Sequence, residues 1–155
     1  MKGDSTVIST LNKLLADELT AISQYMVQAE LCDNWGYEKL HKEIKKLSID
    51  EMKHAEKLIE RIIFLDGSPT VSKLNAINIG GDVQKMHNNN HSSEIDAVKA
   101  YNEAMQVCVH AGDNGSRELL KSILTDEEKH LDWLEAQLGQ IKQMGIQIYL
   151  AEQTH

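Results

Sequence analysis

The chain has 155 residues, 41% hydrophobic and 26% charged, with a formal net charge of −8. This length allows one domain with a core of its own, spanning 1–155. The acidic balance disfavours nucleic acid and anionic membrane as partners and suits cations, and no apolar run approaches the roughly 20 residues needed to cross a bilayer.

Apolar residues recur at steps of three and four through most of the chain, the period of an amphipathic helix. A first helix is expected over 5–34, with Ile8, Leu11, Leu15, Ile22, Tyr25, Ala29 and Cys32 along one seam and Glu18 interrupting it. Asn34-Trp35-Gly36 is a tight reversal. A second helix over 37–65 carries Leu40, Ile44, Leu47, Leu58, Ile62 and Leu65, with Glu51 and His54 in the same seam. From Asp66 to Gly81 run 16 residues with no clear period. Extended, they reach about 53 Å, more than the about 43 Å of a 29-residue helix. This connection can cross the whole bundle and start a third helix, over 83–111, parallel to the second.

The front of that third helix, MHNNNHSSE, is polar and has poor helix propensity. His87 and His91 there read as solvated polar residues. Its rear recovers the pattern with Val98, Tyr101, Met105 and Cys108. Gly112-Asp113-Asn114-Gly115 makes a second reversal. A fourth helix over 116–144 carries Leu120, Ile123, Leu134, Leu138 and Ile141, interrupted by Glu127 and His130. Gly145 ends it, and IQIYLAEQ forms a short fifth. Trp35 and Trp133 are expected to pack at a turn and at a helix contact. The pattern is all-α: a ferritin-like four-helix bundle with one long crossover connection and a short fifth C-terminal helix. MKGDSTVIST lacks the apolar stretch of a secretion signal. Cys32 and Cys108 have no metal-binding spacing and read as reduced core thiols, which points to the cytoplasm.

Two Glu-x-x-His motifs, Glu51 to His54 and Glu127 to His130, interrupt apolar seams. Side chains three apart share a helix face. Glu18 and Glu51 are 33 residues apart, and so are Glu94 and Glu127. Each pair is centred on or beside a reversal, so each antiparallel hairpin sets a Glu level with a Glu-x-x-His. A single such motif is most often a solvated face, since acidic residues are common on helices. Four carboxylates in a dry core are different. They are very unfavourable alone, and two divalent cations cancel their charge. An oxygen-rich set with one imidazole per metal suits iron or manganese better than structural zinc.

Over essentially its full length the chain resembles the bacterioferritins. The segments that carry the resemblance are MKGDSTVISTLNKLLADELTAISQY, the DNWG turn, SIDEMKHAEKLIERIIFLDG, INIGGDV, SRELL, DEEKHLDWLEAQL and QMGIQIYL. The resemblance implies a ferroxidase with two iron ions per subunit, held by Glu18, Glu51, His54, Glu94, Glu127 and His130. Glu51 and Glu127 would bridge the metals, with Glu18 and Glu94 terminal. It also implies that Met52 is the axial ligand of a haem b shared by two subunits across a twofold, beside Leu19, Ile22, Met26 and Ile49. Departures from the family are Lys45, where many members carry an aromatic residue near the haem, and Ser23, where Asn is common. Lys46 replaces a His that in some members serves an inner-surface iron site near Asp50. Tyr25 matches a tyrosine that is redox-active in some members, and a buried structural role suits it equally.

By the same resemblance, Fe(II) is oxidised by O2 or H2O2, and a ferric mineral collects inside a shell of some two dozen subunits built from twofold dimers. A bacterioferritin-associated ferredoxin would supply electrons for release. The rival readings are a ferritin-like di-iron or di-manganese peroxidase or oxygenase without storage, and a metal-free helical interaction protein.

Overall fold

The computed structural model describes residues 1–155. Five helices follow in order: α1 Ser5–Asn34, α2 Glu38–Phe64, α3 Val83–His110, α4 Asn114–Met144 and α5 Ile146–Ala151. Aspartates set the starts of α1, α3 and α4. Asp4 accepts from the Thr6 and Val7 amides, Asp82 from the Lys85 amide and Asp113 from the Ser116 amide, satisfying donors that have no partner within the helix. The Asp113 cap begins α4 at Asn114, two residues earlier than the turn signal suggests. Gly36 and Gly112 take positive φ at the two reversals, and Gly145 does so where α4 hands over to α5.

The helices pair as antiparallel hairpins, α1 with α2 and α3 with α4. Arg61 near the end of α2 ties one hairpin to the other. Its guanidinium donates to Ser116 Oγ and Asp113 Oδ1 at 2.9 Å each, and a Cβ on Gly115 would come within 2.6 Å of it.

The crossover runs along α1 in register with it. Asn12 exchanges hydrogen bonds with Ser68 and Thr70; Thr20 and Gln24 accept from the amides of Asn75 and Asn78; Gln28 donates to the Ile79 carbonyl. Polar side chains on a helix thus satisfy a segment without secondary structure of its own. α3 then starts parallel to α2, as the loop length allows.

The polar front of α3 is solvated on one face only: Asn88, Ser92 and Ser93 are exposed, while His87 and Asn90 are buried. Asn90 lies between Gln24, which donates to its Oδ1, and Gln28, whose Oε1 it donates to, both at 2.8 Å. His87 is 0% exposed, which overturns its reading as a solvated residue. Its Nε2 lies 3.0 Å from the Tyr149 hydroxyl, which donates to Gln137 Oε1 at 2.6 Å. The Trp133 ring meets His87 edge to face at 5.7 Å. His87 is inside because α5 folds back and supplies a partner that the helical period of α3 alone does not reveal. His91 stays half-buried, 3.8 Å from Glu135.

Two apolar clusters form the core. One joins Leu11, Leu15, Leu58, Ile62, Leu120 and Ile123; the other joins Ala29, Cys32, Leu40, Ile44, Met86 and Tyr149. The seam residues between them are polar.

Candidate metal centre

That polar layer contains all six residues singled out by the spacing. Glu18 from α1, Glu51 and His54 from α2, Glu94 from α3, and Glu127 and His130 from α4 are all buried. Their ligand atoms form two groups, Glu18-Glu51-His54-Glu127 and Glu51-Glu94-Glu127-His130, each with its atoms within 4.8 Å of one another. Glu51 and Glu127 belong to both.

The arrangement is nearly twofold. His54 Nδ1 lies 2.9 Å from Glu127 and 3.6 Å from Glu18; His130 Nδ1 lies 2.9 Å from Glu51 and 3.6 Å from Glu94. The symmetry is written into the numbering: Glu18 and Glu94, Glu51 and Glu127, and His54 and His130 are each 76 residues apart.

Four further side chains obey the same displacement; of these only Tyr25 carried an expectation from the sequence, as the match of a tyrosine that is redox-active in some members of the family, and Asp50, Asp126 and Tyr101 had no place in the centre. Asp126 Oδ2 sits 3.0 Å from His54 Nε2, and Asp50 Oδ2 sits 3.2 Å from His130 Nε2. Each aspartate accepts a hydrogen bond from the Nε2–H of the opposite hairpin's imidazole and leaves Nδ1 facing the layer, the usual orientation of a metal-binding histidine. A readable signal existed: both motifs are Asp-Glu-x-x-His. Tyr101 donates to Glu18 Oε1 and Tyr25 to Glu94 Oε1. Burial, first, and then the surrounding carboxylates push both phenols well above the usual range for tyrosine, so they remain donors.

The electrostatics show what is missing among the protein's own groups. Burial and Glu18 raise Glu51 well above the usual carboxylate range. Burial, then Glu127, pushes Glu94 up to about 8. Burial opposes the charged form of His54, but Glu127 and Glu18 outweigh it and raise it to about 10. His130 rises likewise to about 11 against its burial, chiefly through Glu127 and Glu94. The layer is short of positive charge. Glu18 Oε2, Glu51 Oε1, Glu94 Oε2, both Glu127 oxygens and both Nδ1 atoms are buried without a hydrogen-bond partner. So many orphans in one place call for a ligand, and hard oxygens with one nitrogen per group fit two divalent ions of the iron and manganese kind.

A cavity of about 230 Å³ opens onto the layer between α1, α3 and the crossover. Its outer wall is polar, with Asp17, Asn75, Ser93 and Asp96, and Glu18, Glu51, Glu94 and Glu127 lie at its floor.

Residues 8–144 match the family model described as the ferritin-like domain. The chain is 44% identical to a bacterioferritin of Rhodobacter capsulatus, over 95% of this chain and 91% of the relative. It is 40% identical to a bacterioferritin of Brucella melitensis, over 96% and 92%, and 42% identical to a bacterial ferritin of Synechocystis sp., over 99% of each. This chain belongs to the bacterioferritin family.

The residues that the resemblance places beside a haem lie on the outer faces of α1 and α2. Met52 points away from the metal layer and is 45% exposed, with Met26 of α1 55% exposed and Ile49 also at the surface. Leu19 and Ile22 are half-buried beside the core. Ser23 bonds back to the Leu19 carbonyl, and Lys45 is exposed. Asp50 and Lys46 share a shallow depression with Glu43, Asp126 and Lys129, where Asp50 already holds His130. Both cysteines are free and buried, and no helix is long and apolar enough to cross a membrane.

Proposed function

We propose that this chain is an iron-storage ferroxidase. It binds two Fe(II) in the buried layer, oxidises them with O2 or H2O2, and passes Fe(III) to a mineral inside a shell of some two dozen copies. One observation carries this reading: two ligand groups share Glu51 and Glu127 and hold a set of unpartnered oxygens and nitrogens in the bundle interior. The relatives named bacterioferritin support the storage role.

The residues divide the work. Glu51 and Glu127, common to both groups, would bridge the two ions. Glu18 with His54, and Glu94 with His130, would complete one position each. Asp126 and Asp50 keep the imidazole Nε2 protons in place so that Nδ1 is free. Four carboxylates offset the charge that rises as iron is oxidised. Iron here is the substrate, and the polar cavity lets a hydrated cation and a small oxidant reach it. A space of this size and polarity is poor for an organic substrate, which disfavours an oxygenase.

A haem b would be held by Met52 and the same residue of a second copy. Met26 and Ile49 offer apolar contact, and the haem would supply an electron path for iron release, with a ferredoxin as donor. Residues 1–155 act as one ferritin-like unit in this reading, in the cytoplasm, where free thiols persist.

The test is rapid mixing of Fe(II) and O2 with the protein, followed by ferric absorbance, together with gel filtration. Wild type should show a fast phase saturating at two Fe(II) per chain and elute as a very large closed assembly. Glu18→Ala and His130→Ala should each lose the fast phase. A fast phase retained in both variants refutes the assignment, and elution as a monomer or dimer refutes storage.

A further inference from the structure

Two of the four carboxylates are tied and two are not. Tyr101, on α3, donates to Glu18 Oε1 at 2.5 Å; Tyr25, on α1, donates to Glu94 Oε1 at 2.6 Å. In each case the other oxygen, Oε2, is buried without a partner, and the residue lines the cavity. Neither Glu51 nor Glu127 receives a phenol, and both oxygens of Glu127 are without a partner.

A carboxylate with one oxygen held by a short hydrogen bond offers the other to a single cation. A carboxylate with both oxygens free can span two. The phenols therefore sort four chemically identical side chains into two coordination modes.

Tyr101 is 1% exposed and packs against one apolar cluster, and Tyr25 is 2% exposed and packs within the other. A ring alone would fill either place. The hydroxyls add a directed bond across the bundle from α3 to α1 and from α1 to α3. The two residues are again 76 apart, so each half of the centre has its own tie.

We infer that Tyr101 is a positioning residue for the metal chemistry, holding Glu18 in a one-oxygen mode at the ion nearest His54, while Tyr25 does the same for Glu94 at the other. This rests on the two-metal reading above. It assigns Tyr101 control of one metal position rather than of the bundle as a whole. Loss of a single hydrogen-bonding partner behind a ligand typically costs about 10- to 100-fold in metal affinity.

The experiment is titration of metal-depleted protein with Co(II), read by calorimetry and by the visible d–d bands, which report coordination number. Wild type should take up two equivalents. Tyr101→Phe keeps the ring, and circular dichroism verifies the helices. It should weaken one equivalent by about 10-fold or more and change its d–d band, leaving the second as in wild type. Tyr25→Phe should do the reverse, sparing the equivalent that Tyr101→Phe weakens. A wild-type isotherm and spectrum in Tyr101→Phe, even with a lowered melting temperature, overturns the inference, and so does equal weakening of both equivalents. Failure of wild type itself to bind two equivalents removes the two-metal reading instead.

Discussion

Two kinds of buried polar group lie within this bundle, and they differ in one respect. The Gln24-Asn90-Gln28 chain and the His87-Tyr149-Gln137 chain consist of neutral groups that bond one another and the crossover. Across both, His87 Nδ1 is the one atom left unpartnered. The six residues of the metal layer are no more deeply buried, yet seven of their atoms have no partner, and four of the side chains are acids. Burial alone does not separate structure from function in this molecule. Satisfaction does: a closed hydrogen-bond network specifies packing, while an open set of charged donors and acceptors is tolerable only with a ligand.

The sharpest way to break this comparison is Glu51→Gln. Losing a shared carboxylate should slow initial Fe(II) oxidation by about 1,000-fold or more, several kcal/mol of barrier. The same change should raise the melting temperature of the metal-free protein. Burial, and then Glu18, hold Glu51 well above its ordinary value of 4.5, so folding without metal works against its charged form, a cost that the neutral amide avoids. Stopped-flow rates and metal-free thermal unfolding check both halves; a variant that is both slower and less stable contradicts the account of the layer.

The counterpart is Asn90→Leu in the satisfied network. It strands Gln24 Nε2 and Gln28 Oε1 and should cost about 3 kcal/mol, while the iron-oxidation rate per folded chain stays at the wild-type value. Urea unfolding beside the rate measurement tests this, and a rate loss as large as the Glu51→Gln effect erases the distinction.

The third test uses pH. Burial lowers His87 from 6.5 to about 4, so the folded chain favours the neutral ring. Its contribution is fully present above pH 6.5 and is lost as pH falls through 4, at most about 3 kcal/mol. Between pH 7 and pH 4.5, metal-free wild type should therefore lose more stability than His87→Gln, with contributions common to both chains cancelling in the difference. Equal losses would show that His87 is not held neutral.

Helices were legible because their apolar period is long and regular. The bounds of α1 match the periodic segment, and those of α2 fall one residue short at each end. The six residues of the layer were legible because each interrupts a seam or lies 33 residues before a motif. What the sequence concealed are relations between helices that touch only in three dimensions. Asp126 serves the histidine of the other hairpin, although its nearest neighbour in sequence is Glu127. Tyr101 reads as one more seam residue until Glu18 is seen beneath its hydroxyl. His87 lies in a run of asparagines that looks wet, and only the return of α5 makes it dry. Gln24 and Gln28 look like surface residues of α1 because the crossover that covers them has no period to announce itself.

The 76-residue displacement means that neither hairpin owns the centre. Each ligand group takes three side chains from one hairpin and one from the other, and each histidine is oriented from across the divide. A chain that has folded only one hairpin holds three of the six ligand side chains and completes neither group, so loading of both positions doubles as a report that the two halves have met in the right register.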